Sequence, residues 1–374
     1  MSEVEIGIGK GARPTFGLDE LAILPSRRTR HVDEVDISWE IDAYKFDIPL
    51  LSSPIDGVTS PATAIEFGKL GGVGVLNLEG LWTRFEAPEP MLDELAQMDN
   101  ERANEKLREL YKEPIKGELI VERLNQLREA GVVAAGSLAP QRVNQFAKEI
   151  ARAEPDLFVI RGTVVSAEHV SKASEPLNLK RFIREFEIPT IVGGCASYKA
   201  ALHLMRTGAV GVLVGVGSSE SSVTRRVLGL GSGQATAIAD ARGARMRHLD
   251  ETGVYVQVIA DSGVHTGADI AKAIVCGADA VMVGAPLAAA HNAPGRGYNW
   301  SDAVAHPTLP RGSRIPIAPR GSLQEILFGP ATGVDGRTNL CGALKMSMAM
   351  SGHQSVKEFQ KAELVINGAG ATHG

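Results

Sequence analysis

The chain has 374 residues, 44% of them hydrophobic and 22% charged, with a formal net charge of −5. Mild acidity without a basic stripe excludes the footprint of a nucleic-acid binder, and no apolar run reaches the roughly 20 residues of a membrane span. Three cysteines (Cys195, Cys276, Cys341) give no disulfide framework, and residues 1–16 lack a charged start followed by an apolar stretch, so a cytoplasmic protein without a membrane partner is expected.

Forty-one glycines and only 5% aromatics suit an α/β chain with many tight turns. Short apolar runs rich in β-branched residues recur at 48–53, 72–78, 132–138, 156–162, 189–194, 211–217, 256–263 and 280–286. Each closes on a glycine or small polar residue and precedes a helix-like stretch such as PATAIEFGKLG at 61–71, which predicts a parallel sheet. Eight strands close a (β/α)8 TIM barrel of about 250 residues plus insertions. An open doubly wound sheet is the rival, but no GxGxxG opens the first helix. One barrel over 1–374 is therefore expected, with three insertions. Residues 80–125 read as charged helix with a solvated face or a subunit contact, while 218–246 and 287–340 are long loops on the face where barrels place chemistry.

The seventh run ends in Asp261-Ser262-Gly263 and the eighth in Gly284-Ala285. Glycines at these two loops let backbone N–H groups approach an anion, and the following helix starts add positive dipole ends. Asp261 accepts only, so it suits the two hydroxyls of a ribose. Tight turning alone would also explain either glycine loop taken singly.

The segment ADSGVHTGADIAKAIVCGADAVMVGAPLA (260–288) resembles the signature of the IMP dehydrogenase/GMP reductase family. FDIPLLSSPIDGVTS (46–60), FGLDELAILPSRRTR (16–30), GGVGVLNLEG (71–80) and EFQK (358–361) extend the likeness in order along the chain. The resemblance implies a barrel that binds a purine 5′-monophosphate, uses NAD or NADP, and assembles as a homo-tetramer or larger. It places Ser53, Ile55 and Gly217 at the nucleotide, Asp261 at the ribose, and Ser262, Gly263, Gly284 and Ala285 at the phosphate. Ser262 and Ala285 stand where the family usually has Gly and Ser. The family's paired nucleotide-sensing module after strand two is about 120 residues, one ordinary domain; residues 80–125 are too short for it.

The family's catalytic loop follows strand six and carries a cysteine that attacks C2 of the purine. Aligned without a gap, Ser222 takes that position and Thr224 lies two residues on. A serine is a far poorer nucleophile than a thiolate unless a base adjoins it. Arg161 replaces the aspartate that holds the nicotinamide side, with Gly162 and Thr163 following; Cys195 replaces an asparagine and Leu213 an arginine. The flap's Tyr-Arg is missing, leaving Arg311 and Arg320 as stand-ins. The family's monovalent cation sits on the altered loop, so none is assumed.

Cys195 is either a substitute nucleophile or a buried thiol, Cys276 is core, and His265 caps or packs beside the phosphate loop. Arg161 is either a site for an anionic ligand, such as an ionised xanthine, or half of an ion pair with Asp156 or a carboxylate from another strand. Three functions stay open on these residues: a purine-nucleotide oxidoreductase acting on IMP, XMP or GMP; a catalytically silent purine-nucleotide binder; and an FMN-binding barrel.

Overall fold

The computed structural model describes residues 3–170, 176–218, 223–300, 314–331 and 333–367. Eight strands form one parallel sheet: β1 (Leu50–Ser52), β2 (Val75–Asn77), β3 (Ala135–Leu138), β4 (Leu157–Arg161), β5 (Thr190–Cys195), β6 (Gly211–Val214), β7 (Gln257–Asp261) and β8 (Ala280–Val283). Neighbours run β1-β8-β7-β6-β5-β4-β3-β2, and a parallel bridge between Leu51 and Val73 joins the last to the first. The sheet is thus a (β/α)8 barrel. Seven of these strands fall within the apolar runs, and β5 extends one residue beyond its run at 189–194.

The helices that cover it are α1 (Pro61–Lys69), α2 (Gly117–Glu129), α3 (Ala147–Ala153), α4 (Leu179–Phe186), α5 (Tyr198–Met205), α6 (Gln234–Thr252), α7 (Gly267–Cys276) and α8 (Leu340–Met350). Local sequence sets where they start. Ser60 and Thr63 form a reciprocal cap before Pro61, and Thr266 with Asp269 does the same for α7.

Strand residues alternate between two cores, as a two-residue period requires. Leu51, Val75, Leu157, Val159, Ile191, Leu213, Ile259 and Met282 cluster inside the barrel, whereas Phe158, Ile160, Val212, Val258 and Val281 pack outward with the helices. A hairpin pairing Trp39 with Phe46 joins the inner cluster, the two rings stacked at 5.5 Å. Hydrophobic side chains therefore fill the barrel, and its polar surface is confined to the strand ends.

Residues 80–125 are more than a solvated face. Helices Glu89–Gln97 and Asn100–Leu110 bury Leu92, Leu95, Ala103, Leu107 and Leu110 in a separate cluster with Trp82 and Trp300. The leucines recur every three or four residues, which makes one apolar stripe beneath a charged surface. Arg314 fastens the segment after β8 to this unit. Its guanidinium stacks on Tyr298 at 3.7 Å and donates to Met98 O at 2.7 Å, to Asn100 Oδ1 at 3.0 Å and to Leu95 O. Trp300 Nε1 donates to the Tyr111 hydroxyl, which donates to Asp56 Oδ2, so the same unit reaches the loop after β1.

Candidate active site at the barrel mouth

The alternation that fills the barrel also determines which residues form its last inward layer. On β4 it runs Leu157, Val159, Arg161; on β7, Ile259, Asp261; on β8, Met282, Gly284; and on β1, Leu51, Ser53. Four of the residues read from sequence as site candidates therefore converge by register alone. Ser53 and Asp261 are buried, whereas Ser262, Gly263, Gly284 and Ala285 are partly exposed and form the rim above them. Ile55 is buried beside Ser53, and its N–H donates to Ser53 O at 2.8 Å.

The glycine loops after β7 and β8 lie close against their neighbours. A Cβ on Gly284 would lie 3.4 Å from Ser53 Cβ, and one on Gly263 would lie 3.3 Å from Ser218 Cβ. The loop ends of β8 and β1 thus touch, as do those of β7 and β6. Gly263 has φ +72° and Gly217 φ +72°, the left-handed region that glycine enters freely. Ser262 holds φ +86°, a conformation uncommon for a residue with a Cβ. The usual family glycine at this position would carry no such strain, so the backbone shape has been kept at a cost. The turn Ala285–Ala288 begins directly at Gly284, and α7 begins four residues after Gly263. His265 N–H and Thr266 N–H both donate to Asp269 Oδ2 at 3.1 Å, which places His265 in the cap of α7.

Arg161 crosses the mouth to β7. Its Nε donates to Asp261 Oδ2 at 3.0 Å, and one Nη faces Oδ1 at 3.5 Å. Of the two sequence readings of Arg161, the ion pair is present, with a carboxylate from another strand. Asp156 lies at the opposite end of β4, where it accepts from the Tyr44 hydroxyl and from Ala134 N–H. Gly162 N–H donates to Gly193 O, and Gly194 N–H to Gly162 O, so the ends of β4 and β5 are zipped together beneath Thr163.

Gly215, directly after β6, approaches β7 more closely than any side chain allows. A Cβ there would lie 1.7 Å from Asp261 O and 3.2 Å from Gln234 Oε1. Gly215→Ala is expected to push β7 aside and destabilise the fold by about 1–3 kcal/mol, as overpacking does. Urea unfolding checks this, and a wild-type midpoint would contradict the close approach. Gln234, which the sequence does not single out, is buried at this junction. Its Nε2 donates to Val214 O at 2.7 Å and to Asp261 O at 3.4 Å, and Ser218 Oγ donates to its Oε1 at 3.4 Å. A polar residue opening a helix after a glycine loop was its only sequence signal.

Cys195 does not face the mouth. Strict alternation would send Ile191, Gly193 and Cys195 inward, but the β5–β6 register shifts between Gly193 and Cys195. The thiol turns into the outer core, where it donates to Leu213 O at 3.5 Å. Burial pushes its pKa up to about 12, and it does the same for Cys276 and Cys341. All three cysteines of the chain are therefore neutral, enclosed thiols at physiological pH. Arg320 pairs with Asp335 at 2.5 Å while its N–H donates to Ala289 O, so it belongs to the loop packed on the turn after β8. Thr224 opens the short helix Thr224–Leu228. Ser222 and Arg311 lie outside the described residues.

A mouth with a glycine cradle over β7 and β8 and a carboxylate beneath it can hold an anion and a diol side by side. Residues 15–313 match the IMP dehydrogenase / GMP reductase domain family. An uncharacterized oxidoreductase of Mycobacterium tuberculosis is 48% identical over 98% of this chain and all of its own length. Inosine-5′-monophosphate dehydrogenase of Haemophilus influenzae is 31% identical over 67% of this chain and 52% of its own. The crystal structure of an IMP dehydrogenase/GMP reductase-like protein from Corynebacterium glutamicum superposes with a TM-score of 0.92 at 44% identity, covering 98% of each chain. The chain belongs to the IMP dehydrogenase/GMP reductase family.

Proposed function

We propose that the protein is an oxidoreductase that binds a purine nucleoside 5′-monophosphate at the barrel mouth and exchanges a hydride between its base and NAD or NADP. The observation that carries this reading is the convergence of Asp261, Gly263, Gly284 and Ser53 on adjoining strand ends. Backbone N–H groups of the Gly263 and Gly284 loops would hold the phosphate, with Ser262 and Ala285 at its edge. Asp261 would accept from the ribose hydroxyls, and Ser53, Ile55 and Gly217 would line the nucleotide.

Gly162 and Thr163 would flank the nicotinamide, which when bound supplies the hydride acceptor or donor. Arg161 stands one residue before them, its charge offset by the Asp261 carboxylate. The residues present therefore fit either oxidation state of the cofactor.

Calorimetric titration with IMP, XMP and GMP tests the binding, and an assay for NADH production or NADPH consumption tests turnover. Ser222→Cys is expected to raise IMP oxidation by about tenfold or more, as a thiolate replaces a hydroxyl. A second reading, a catalytically silent nucleotide binder, draws support from the three enclosed thiols. Tight binding without turnover, unchanged in Ser222→Cys, would favour it. The FMN alternative requires a yellow protein, and a colourless one removes it.

A further inference from the structure

The Arg161–Asp261 pair bears on which purine the mouth accepts, an inference that rests on the nucleotide reading above. The two residues come from strands that are not neighbours, and the pair spans β5 and β6, where Gly193 is the β5 partner of Arg161 and Gly215 follows β6. A Cβ on Gly193 would lie 2.6 Å from Leu213 Cβ, so β5 can carry no side chain beneath the pair at that position. The guanidinium is therefore fixed before any ligand arrives, held in a fork by Asp261, and its ordering adds no cost on binding.

A nucleotide with its phosphate over Gly263 and Gly284 and its hydroxyls on Asp261 has a determined direction. The glycosidic bond adjoins the 2′-hydroxyl, on the side of the ribose away from the 5′-phosphate. Phosphate lies toward β8 and Arg161 comes from β4, so the base leaves the ribose on the Arg161 side of Asp261. In the anti conformer, the N3–C2 edge of a purine is the edge nearest the 2′-hydroxyl. That edge faces the cation.

We infer that Arg161 is a specificity-determining residue that selects a purine with oxygen at C2. A 2-oxo group, in an ionised ring or a neutral one, presents an acceptor to the guanidinium. At C2 the amino group of GMP presents N–H against N–H and IMP presents a C–H, so each offers the guanidinium only the N3 lone pair on that edge. A hydrogen bond to a charged group differs from none by about ten- to hundredfold in affinity.

The test is calorimetric titration of wild type, Arg161→Gln and Arg161→Lys with XMP, IMP and GMP, with thermal melts to verify folding. Wild type is expected to bind XMP about tenfold or more tighter than IMP or GMP. Arg161→Lys is expected to keep that order, and Arg161→Gln to bring the three within about threefold of one another. A ligand series tests the same point without a variant: isoguanosine 5′-monophosphate, 2-oxo with a 6-amino group, should group with XMP on wild type. Equal affinities in wild type, an unchanged order in Arg161→Gln, or isoguanosine monophosphate grouping with GMP each overturn the inference while leaving the nucleotide site standing. Failure of all four nucleotides to bind wild type removes the site and the inference together.

Discussion

Asp279→Ala is expected to lower the stability of the fold by about 3–5 kcal/mol, the usual result of removing one partner from a buried charge cluster. Asp279 precedes β8 at the end of the barrel opposite the mouth and is almost fully enclosed. It accepts from Arg245 Nη1 at 2.6 Å, Lys357 Nζ at 2.7 Å, the Tyr255 hydroxyl at 2.7 Å, Val258 N–H at 2.8 Å and Gln360 Nε2 at 3.0 Å. These groups come from α6, from the chain leading into β7 and from the helical turn Val356–Phe359 and the residue that follows it. One carboxylate thus ties the last two strands to the C-terminal segment. Without it, Arg245, 2% exposed, would be an enclosed cation with no ion-pair partner among the described residues.

The same carboxylate sets a pH dependence. Burial alone would push the Asp279 carboxyl up, but the charges of Arg245 and Lys357 and the hydrogen bonds from Lys357 and Val258 outweigh it and hold it below the usual carboxylate range. A group depressed in the folded state contributes stability above its unfolded pKa and loses it as pH falls through the folded value. Wild type should therefore lose this contribution in acid, from the ordinary aspartate range downward, whereas Asp279→Asn should lack it at neutral pH. Denaturant midpoints across pH check both, and equal midpoints for wild type and Asp279→Asn at neutral pH would contradict the role.

The barrel was legible because its signal is local. Every run of alternating or continuous apolar residues became a strand, and the excess of each run over its strand, as in 256–263 against Gln257–Asp261, lies in loop residues of similar composition. The rest depends on contacts between distant residues. Alternation along β4 and β7 puts positions 161 and 261 in one layer, yet nothing in a single sequence ranks Asp261 above the nearby Asp156 as the partner of Arg161. The two readings of Cys195, nucleophile or buried thiol, could not be separated from sequence, because a one-residue register shift leaves no trace in composition. The insertion read as solvated because its mean charge hides a leucine stripe, and Trp300 and Arg314, which anchor the later loop to it, lie some two hundred residues downstream in the chain.

Asp261→Ala should weaken purine nucleotide binding by about ten- to several-hundredfold, since one or two hydrogen bonds to a charged acceptor are lost. The variant has an opposing effect that the measurement must separate. Removing the carboxylate leaves Arg161, only partly exposed, without its 3.0 Å partner at the mouth. With its charge no longer offset by Asp261, Arg161 attracts anions more strongly, so inorganic phosphate should bind the variant at least as well as wild type. Pairing the substitution with 2′,3′-dideoxy nucleotides isolates the ribose contact, because a ligand without hydroxyls has nothing to lose. The dideoxy form should bind wild type weakly and the variant no worse, giving a coupling energy equal to most of the loss seen with the ribonucleotide. If the ribonucleotide instead binds the variant as well as wild type, Asp261 serves only to hold Arg161. The mouth would then recognise its ligand through the glycine loops and the cation alone.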